Sequence, residues 1–408
     1  MNDAVACNIR RCIACIDRRK CSIVIFAQVS GELFGRVGQR RQRADLISRG
    51  CFGQQMSEEN PEMREMAARI CRDYLHGVWK HVTAENITLK RISGGLSNWL
   101  YNVQLPDGAV PIRGEPRQVL LRLYGQVHGE RALEGLITES VIFTLLSERR
   151  LGPKLHGIFP GGRIEEYIPA RPLLTKELAD PTLSSMIAEK MGRIHTMQVP
   201  ISKEPTWLWD TMAKWLDTTT DILENTEDID ARQLKNVNAI RTIDLDHEIN
   251  WFRSLATQQK YPVVFCHNDM QEGNILLRQN ARKPELVLID FEYCSYNYRG
   301  FDIANHFVEW QYDYTAAEYP FFHERAGSGP TNEQKLNFIK SYLRTVGKEG
   351  SSEEERIMME IKIFSLASHL FWGLWSIVNA KLSEIPFGYW VRRLRFLYMA
   401  STRYFNNY

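Results

Sequence analysis

The sequence has little net charge and no long apolar run. Its 51 lysines and arginines nearly balance 49 aspartates and glutamates, which gives a formal net charge of +2. Nucleic-acid-binding proteins usually carry clustered basic residues, and no sustained basic stripe occurs here. The most apolar segments, residues 22–29 and 366–378, are too short or too interrupted to cross a bilayer, which takes about 20 apolar residues. We therefore expect no nucleic-acid partner and no transmembrane span.

The cysteines do not form a recognisable framework. Five of the eight lie within the first 51 residues, and the others are scattered along the chain. In a chain of this length such spacing does not indicate a disulfide scaffold. No histidine or second CxxC pair completes a tetrahedral zinc set around the early cluster. The pattern favours a reducing compartment, so we predict a cytoplasmic protein.

The first 55 residues differ from the rest of the chain. They are rich in arginine and show little helical or strand periodicity. Their acidic residues argue against a transit peptide, which is typically poor in acidic residues. We predict a disordered extension over residues 1–55 and assign it no function. A regular pattern begins near Met56, which is a candidate second start codon.

The remaining chain divides into a strand-rich part and a helix-rich part. Short apolar runs over residues 87–92, 99–105, 119–124, 154–159 and 163–168 predict strands. Pro169 and Pro172 then interrupt the pattern, and helical periodicity dominates from residue 176 to the end. Three short strands around residues 263–289 interrupt the helices. An α+β fold with two lobes follows from this order.

The strongest chemical signal is the segment His267-Asn268-Asp269-Met270-Gln271-Glu272-Gly273-Asn274, followed by an Asp at the end of an apolar run. Phosphoryl transfer needs a carboxylate that takes the proton of the attacking hydroxyl. It also needs oxygen ligands for Mg²⁺. We predict Asp269 as the base, and Asn274 and Asp290 as the magnesium ligands. Asn and Asp are also common in turns, but three of them at kinase spacing favour the functional interpretation.

A glycine loop and a cation form the second signal. The loop spans residues 93–98 between two predicted strands, and such loops let backbone N–H groups approach phosphate. Arg122 lies in an apolar strand downstream, and the guanidinium group of an arginine can donate two hydrogen bonds to one phosphate group. An inward-facing charge needs a partner, and we predict Glu139 on the following helix. A solvated surface arginine remains the alternative.

Aromatic residues form the third signal. Trp372 and Trp375 are three residues apart, which places both indoles on one face of a helix. Rings together with a carboxylate suit a quaternary ammonium, which is held by cation–π attraction and charge. Candidate partners lie upstream: Tyr293, Glu309, Trp310, Tyr312, Asp313 and Tyr314. From spacing alone, a packed core is the simpler interpretation of these aromatic residues.

The motifs HNDMQEGNILL, LIDFEYCSYNYRGFDIANHFVEW and LFWGLWSIVNAK resemble the choline/ethanolamine kinase family, and the resemblance extends over residues 57–408. It implies a bilobal, protein-kinase-like fold. A small β-rich N-lobe would span residues 56–165, a hinge residues 166–172, and a larger, mainly helical C-lobe residues 173–408. It further implies a cytosolic homodimer that uses ATP and Mg²⁺ to make phosphocholine or phosphoethanolamine, the first step of the Kennedy pathway to membrane phospholipids.

The same resemblance implies roles for individual residues. Asp269 matches the catalytic Asp that also meets the substrate hydroxyl, while Asn274 and Asp290 match the metal ligands and Gln271 a residue near the nucleotide. Arg122 matches the phosphate-gripping Arg. The phosphate loop comprises Ser93, Gly94, Gly95, Leu96, Ser97, Asn98 and Trp99. The adenine-contacting hinge includes Glu166, Tyr167, Ile168 and Arg171. The choline-binding cage comprises Tyr293, Glu309, Tyr314, Trp372 and Trp375.

One departure and several alternatives remain. After Phe387-Gly388-Tyr389 this chain has Arg392 and Arg393, where many family members have a tyrosine. A sugar or aminoglycoside phosphotransferase and a non-catalytic choline-binding protein are rival functions. A protein kinase is disfavoured because the glycine loop is not GxGxxG, the cation is Arg rather than Lys, and Asp-Phe-Glu replaces Asp-Phe-Gly. An aromatic cage suits choline better than ethanolamine, but the sequence leaves that choice open.

Overall fold

The computed structural model describes residues 60–92, 98–125, 130–227, 229, 231–279, 281–325, 327–383 and 385–390. Their elements form two compact units. The smaller unit contains described residues up to Gly125 together with residues 156–166. The larger unit contains residues 126–155 and those from Tyr167 onward. The predicted extension over residues 1–55 lies outside the described residues.

The smaller unit is built on an antiparallel sheet. Its strands are β1 (Thr88–Ile92), β2 (Asn98–Gln104), β3 (Gln118–Tyr124), β4 (Leu155–Phe159) and β5 (Gly162–Glu166), in the spatial order β1-β2-β3-β5-β4. Helix α1 (Pro61–Tyr74) begins after Asn60, whose side chain accepts a bond from the backbone N–H of Glu62. An Asn cap followed by proline is a typical helix start.

One face of this sheet is apolar and the other is polar. Side chains alternate between the two faces along each strand. Tyr101, Leu121 and Ile164 are buried and belong to the same apolar core as Ala67 and Ala68 of α1. Charged residues occupy some of the alternate positions of β3 and β5, so the face opposite that core carries charged groups among uncharged ones.

The larger unit holds three small pieces of sheet. Strands β6 (Ala170–Pro172), β8 (Ile275–Arg278) and β9 (Leu286–Leu288) form one sheet in the order β6-β8-β9. Strand β7 (Val263–Cys266) pairs with β10 (Ser295–Tyr298), and β11 (Tyr312–Asp313) pairs with β12 (His323–Glu324). The loops that leave β7 and β9 carry the candidate catalytic residues.

Helices make up the rest of the larger unit and enclose its core. They are α2 (Glu130–Glu148), α3 (Pro181–His195), α4 (Thr206–Glu224), α5 (Ala231–Arg241), α6 (Leu245–Gln258), α7 (Arg299–Glu309), α8 (Asn332–Val346) and α9 (Ser351–Leu382). Residues 130–155, which the predicted N-lobe included, pack here because Ile142, Phe143 and Leu146 join the core of the larger unit. The predicted lobe and hinge boundaries stay predictions.

Helix α9 is the longest helix in the described part of the chain. Among the described residues it alone is long and apolar enough to cross a membrane, but 78% of its apolar window is buried inside the protein. It packs closely on α7, because a Cβ atom on Gly300 would come within 2.5 Å of Phe364 Cδ2. This burial is typical of a core helix.

A buried ion pair joins α7 to α9. Arg299 donates from Nε to Glu360 Oε2 at 3.0 Å and from Nη2 to Oε1 at 2.6 Å. The Glu360 side chain is fully buried and that of Arg299 is 3% exposed. Burial disfavours the charged form of Arg299. Its hydrogen bonds to Glu360 and the negative charge of that carboxylate nevertheless raise the pKa of Arg299 above its ordinary value. The pair therefore fixes the helix that carries both predicted cage tryptophans.

We expect Arg299→Met to lower the free energy of unfolding by about 3–5 kcal/mol, since it removes the buried cation that bonds both oxygens of Glu360 and leaves the half-exposed Arg356 at 3.5 Å. Urea denaturation of the purified protein measures this change. The control Glu285→Gln removes the partner of Arg278 from a pair in which Glu285 is 55% exposed, and should change stability by less than about 1 kcal/mol. Equal, small effects of both substitutions would contradict the role given to the buried pair.

Candidate active site

The segment that carries Asp269 connects β7 to β8. Asn274, at the end of a short 3₁₀ turn over Glu272–Asn274, reaches back across this loop. Its Nδ2 donates to the Asp269 carbonyl oxygen at 2.9 Å and to the Asp269 carboxylate Oδ2 at 2.8 Å. A carboxylate held by an amide donor keeps one fixed orientation. The Asp269 and Asn274 side chains are therefore held together.

The β8–β9 hairpin brings Asp290 to the same place. Ile275 pairs with Leu288, and the backbone N–H of Ile289 donates to the Asn274 carbonyl at 3.0 Å. Asp290 follows directly and adopts a positive φ of 64°. Such a backbone conformation is uncommon outside glycine and tends to occur at functional sites. Asp269, Asn274 and Asp290 thus lie on segments that are bonded to one another.

These residues fit a magnesium site by their chemistry. Asn274 and Asp290 offer an amide oxygen and a carboxylate, and Mg²⁺ prefers such hard oxygen donors, usually only one or two from the protein. Because the Asn274 nitrogen already donates to Asp269, the orientation of the amide is set and its Oδ1 carries the lone pairs for a metal. The assignment of both residues as ligands stays a prediction.

Asp302 on α7 holds the loop between β7 and β8 in place. Its carboxylate accepts from the backbone N–H of His267 at 2.9 Å and of Asn268 at 2.8 Å. It also contacts His195 Nε2 at 3.0 Å, and His195 Nδ1 contacts the Tyr342 hydroxyl at 2.8 Å. Asp302 is completely buried. The sequence analysis did not predict a role for Asp302, although it lies in the motif LIDFEYCSYNYRGFDIANHFVEW.

The charge state of Asp302 follows from these contacts. Burial alone raises the pKa of a carboxyl group. Here the hydrogen bond and charge of His195, followed by the charge of His267 and its backbone N–H, outweigh burial and hold the pKa of Asp302 below its ordinary value. Asp302 is therefore an anion that accepts several bonds, as a rigid anchor for a loop requires.

Asn268 joins the loop to the predicted cage. It has a positive φ of 68°, and its Nδ2 donates to the Tyr293 carbonyl at 2.8 Å. Its own carbonyl accepts from Asn305 Nδ2 at 3.3 Å, and Asn305 Oδ1 accepts from Trp372 Nε1 at 2.6 Å. The residue next to Asp269 is thus tied to two of the predicted cage residues. Asn268 and Asn305 were not predicted as site residues.

Three of the predicted cage rings contact one another. The rings of Tyr293 and Trp372 meet edge to face at 5.7 Å between centroids, and those of Trp372 and Trp375 at 5.6 Å. Trp375 Nε1 donates to the Tyr293 hydroxyl at 3.2 Å. Trp372 is buried, whereas Tyr293 and Trp375 are partly exposed. Trp372 thus packs in the core, while its neighbours present ring surface outward.

Glu309 and Tyr314 form the second part of the predicted cage. The Tyr314 hydroxyl donates to Glu309 Oε2 at 2.6 Å, and Glu309 is buried. Tyr314 lies 6.3 Å from Phe387, and Phe387 lies 5.0 Å from Tyr389 between ring centroids. Tyr389 in turn meets Trp375 at 5.6 Å. A continuous series of rings therefore links the two tryptophans to the carboxylate.

A second carboxyl group lies near Glu309. Burial, followed by the charge of Glu309, raises the pKa of Glu272 to about 8. The Thr175 hydroxyl donates to Glu272 Oε1 at 3.0 Å. Glu272 is thus mainly protonated at neutral pH. The sequence did not indicate the raised pKa of Glu272, since Glu272 and Glu309 both appear in it simply as acidic residues.

Other aromatic residues near the cage were missed. Trp207 on α4 contacts Tyr293 at 6.3 Å and Phe371 at 5.2 Å between ring centroids. A tryptophan 86 residues before Tyr293 has no local pattern that connects the two, so only the fold could reveal it. Arg392 and Arg393, the departure from the family pattern, lie outside the described residues.

The structure describes only some of the residues that were predicted to bind the nucleotide. Ser93, Gly94, Gly95, Leu96 and Ser97 lie outside the described residues, while Asn98 and Trp99 begin β2. Gln271 caps the 3₁₀ turn by accepting from Gly273 N at 2.7 Å. Arg171 forms a two-bond pair with Glu177, at 2.7 Å each. Glu166 ends β5, and Tyr167 and Ile168 follow it. None of these contacts tests nucleotide binding.

Arg122 has a partner that the sequence did not predict. Its Nε donates to Glu165 Oε1 at 2.7 Å, within the sheet of the smaller unit. The side chain is only 11% exposed, so the alternative of a solvated surface arginine is wrong. Glu139 lies on α2 in the larger unit, and its pairing with Arg122 stays a prediction. Glu165 was missed because a contact between neighbouring strands has no fixed sequence spacing.

Comparison with known proteins identifies the family. The profile of the family described as choline/ethanolamine kinase matches residues 89–398. The chain belongs to the choline/ethanolamine kinase family. A choline/ethanolamine kinase of Rattus norvegicus is 47% identical to this kinase over 336 residues, which cover 80% of this chain and 83% of that protein. A choline kinase alpha of Mus musculus is 45% identical, covering 82% and 80%.

Solved structures agree with this assignment. A choline kinase from Cryptosporidium parvum matches with a TM-score of 0.67 and 26% identity, covering 82% of this chain and 94% of that chain. An ethanolamine kinase from Plasmodium vivax has the same TM-score at 22% identity, covering 88% and 94%, and this likeness concerns the fold alone. The predicted α+β, protein-kinase-like fold and the family resemblance are confirmed, and membership in a kinase family implies use of ATP.

We expect Asp302→Asn to destabilise the protein by about 3 kcal/mol, since an amide nitrogen would replace an acceptor oxygen in a buried network. Because the folded pKa is depressed, the carboxylate stabilises the fold above the unfolded pKa of about 4. That contribution is lost as pH falls through the folded pKa. The stability difference between wild type and variant should therefore narrow below about pH 4, as urea titrations from pH 3 to 6 would show.

The matched control for this test is Asp180→Asn. Asp180 caps α3 by accepting from the backbone N–H groups of Thr182 and Leu183 at 2.9 Å each, and asparagine caps helices about equally well. Its effect should stay below about 0.5 kcal/mol. A loss of stability for Asp302→Asn that is the same at every pH would contradict the ionised anchor.

Proposed function

We propose that this kinase transfers the γ-phosphoryl group of ATP to the hydroxyl group of choline and also accepts ethanolamine. One observation carries the proposal: Asn268, next to Asp269, is bonded to the backbone of Tyr293, whose ring contacts Trp372 and whose hydroxyl accepts from Trp375. Asp269, whose carboxylate can take a hydroxyl proton, is therefore adjacent to the residue that holds Tyr293. The ring of Tyr293 belongs to an aromatic surface that can bind a cation. Choline contains both groups two carbons apart.

Different residues of the larger unit can perform different parts of the reaction. Asp269 would accept the proton of the substrate hydroxyl as its oxygen bonds to the γ-phosphorus of ATP, while the bond from that phosphorus to the β–γ bridging oxygen breaks and ADP leaves. Asn274 would hold the Asp269 carboxylate through Oδ2. Asn274 and Asp290 would hold Mg²⁺, which when bound offsets the negative charge of the phosphate oxygens. The contact of Arg122 with those phosphates stays a prediction.

The cage would orient the substrate by its cationic end. A trimethylammonium group cannot donate an N–H bond, so ring faces and a negative charge must hold it. Tyr293 and Trp375 supply partly exposed rings, and Glu309 supplies the charge. A primary ammonium would gain a direct hydrogen bond from a carboxylate, which supports ethanolamine as the second substrate. The similar relatives named choline/ethanolamine kinase support use of both compounds.

Assembly and location are proposed on family grounds. Members of the family commonly form homodimers, and their reaction supplies phospholipid synthesis, so we infer a homodimer in the cytoplasm. Gel filtration with light scattering and fractionation of cells that produce the protein test the two points separately.

We expect Asp269→Asn to reduce kcat for choline by at least about 100-fold, because the amide keeps the shape of the side chain and loses the proton acceptor. A coupled assay of ADP release, with and without choline, measures the effect. Binding of choline to the variant should persist, which calorimetry can check. Turnover close to the wild-type rate would exclude Asp269 as the base, and choline binding without turnover in the wild type would favour a non-catalytic binding protein.

We also expect Trp375→Leu to raise KM for choline by about tenfold, the size of a lost cation–π contact of ~1–2 kcal/mol. KM for ATP should stay within about twofold, because the lost ring faces the cation and not the nucleotide. The matched control is Trp251→Leu on α6, whose tryptophan is 39% exposed and which should leave both constants unchanged. An unchanged KM for choline in Trp375→Leu would remove this residue from the cage.

A further inference from the structure

Three charged residues on β3 and β5 form a buried cluster that the proposed chemistry has not used. Glu165 Oε1 accepts from Arg122 Nε and from Arg163 Nε, at 2.7 Å in each case. Arg122 and Arg163 are direct partners across the two strands, and Glu165 lies two residues further along β5. All three side chains therefore project from the same face of the sheet.

The cluster has an excess of positive charge. Two guanidinium groups share one carboxylate, so the three side chains together carry a net charge of +1. Although burial acts in the opposite direction, the charges of Arg122 and then Arg163 hold the pKa of Glu165 below its ordinary value, which keeps the carboxylate ionised. An anionic ligand next to Arg122 would be attracted by its guanidinium charge.

The three side chains differ in how far they are exposed to solvent. The side chain of Arg122 is 11% exposed, whereas those of Arg163 and Glu165 are each 2% exposed. A ligand can therefore reach Arg122 but not its two neighbours. Nε uses only one of the five N–H donors of a guanidinium, so a bond from Nε to Glu165 fixes the plane of Arg122 while its terminal nitrogens keep their donors.

Arg163 is itself held from a second side. Its Nη1 donates to the Tyr124 hydroxyl at 3.1 Å, and its guanidinium carbon lies 5.7 Å from the centre of the Tyr124 ring. Tyr124 pairs with Asn98, a residue of the predicted phosphate loop that begins β2. The cluster is thus attached to the strand positions from which that loop departs.

We propose that Glu165 and Arg163 are positioning residues for ATP: Glu165 orients the Arg122 guanidinium toward the nucleotide phosphates, and Arg163 holds Glu165 in place. The proposal deepens the proposed function and rests on it, since it requires that Arg122 contacts the phosphates. It differs from the lysine–glutamate pair of protein kinases, in which the carboxylate comes from a helix, because here it comes from the neighbouring strand of the same sheet.

The test is a double-mutant cycle with Glu165→Gln and Arg122→Met, read as separate KM values for ATP and choline. We expect Glu165→Gln to raise KM for ATP about tenfold, since hydrogen bonds to charged groups contribute at this level, and to leave KM for choline within about twofold. In the Arg122→Met background the same substitution should have no further effect on KM for ATP. Arg163→Lys should shift KM for ATP in the same direction as Glu165→Gln.

A merely structural role gives a different result. The control Arg64→Met removes an arginine of the same unit that donates to the carbonyls of Ala84 and Ile87, and it should lower thermal stability without changing either KM. If Glu165→Gln behaves like this control, or acts equally in both backgrounds, the proposal is overturned. If Glu165→Gln does not fold, Arg163→Lys decides by the same two KM values, and an unchanged KM for ATP overturns the proposal.

Failure of the underlying function is distinguishable from failure of this inference. If Arg122→Met leaves KM for ATP unchanged while choline is still phosphorylated, the role of Arg122 is wrong and the cluster is structural. If no variant and no wild-type protein phosphorylates an amino alcohol, the proposed function itself is wrong. A weakened ATP interaction in Arg122→Met, with no change in Glu165→Gln, contradicts only the positioning role.

Discussion

The candidate active site depends on a single buried carboxylate. Asp302 binds the backbone N–H groups of His267 and Asn268, the two residues that precede Asp269. Backbone groups buried without partners are costly, and a charged acceptor stabilises two of them together. Because Asn268 adopts a positive φ, its conformation must be maintained by such contacts. The position of the candidate catalytic residue Asp269 is therefore set by helix α7 rather than by its own loop.

From this anchor the structure extends in two directions. Toward the phosphoryl-transfer residues, Asn274 bonds Asp269, and the β8–β9 hairpin adds Asp290. Toward the cage, Asn268 and Asn305 connect the loop to Tyr293 and Trp372. The proposed base and the proposed cation-binding rings thus share one hydrogen-bond network, which fits an enzyme whose substrate carries its hydroxyl and its cationic group on one short chain. A displacement of the anchor should disturb both ends.

The sequence predicted what local patterns can encode. Strand positions in the smaller unit and the Asp269, Asn274 and Asp290 constellation follow from short apolar runs and fixed spacings. It did not predict the contacts made by residues far apart in the chain, such as His195 with Asp302 or Trp207 with Tyr293. It named Glu139 on the following helix as the candidate partner of Arg122, whereas Glu165 became visible only once β3 and β5 were aligned. Long-range partners depend on topology, and topology was not readable from spacing alone.

The central claim is that Asp269, Asn274 and Asp290 converge on one metal-bridged phosphate beside a ring-lined cation site. A crystal structure with choline, a non-hydrolysable ATP analogue and Mn²⁺ in place of Mg²⁺ tests it most directly, since the anomalous signal locates the metal. We predict Mn²⁺ at about 2.1 Å from Asn274 Oδ1 and an Asp290 oxygen, with the choline hydroxyl within about 3 Å of Asp269. A metal bound elsewhere, or a choline molecule away from Tyr293 and Trp375, would contradict the account.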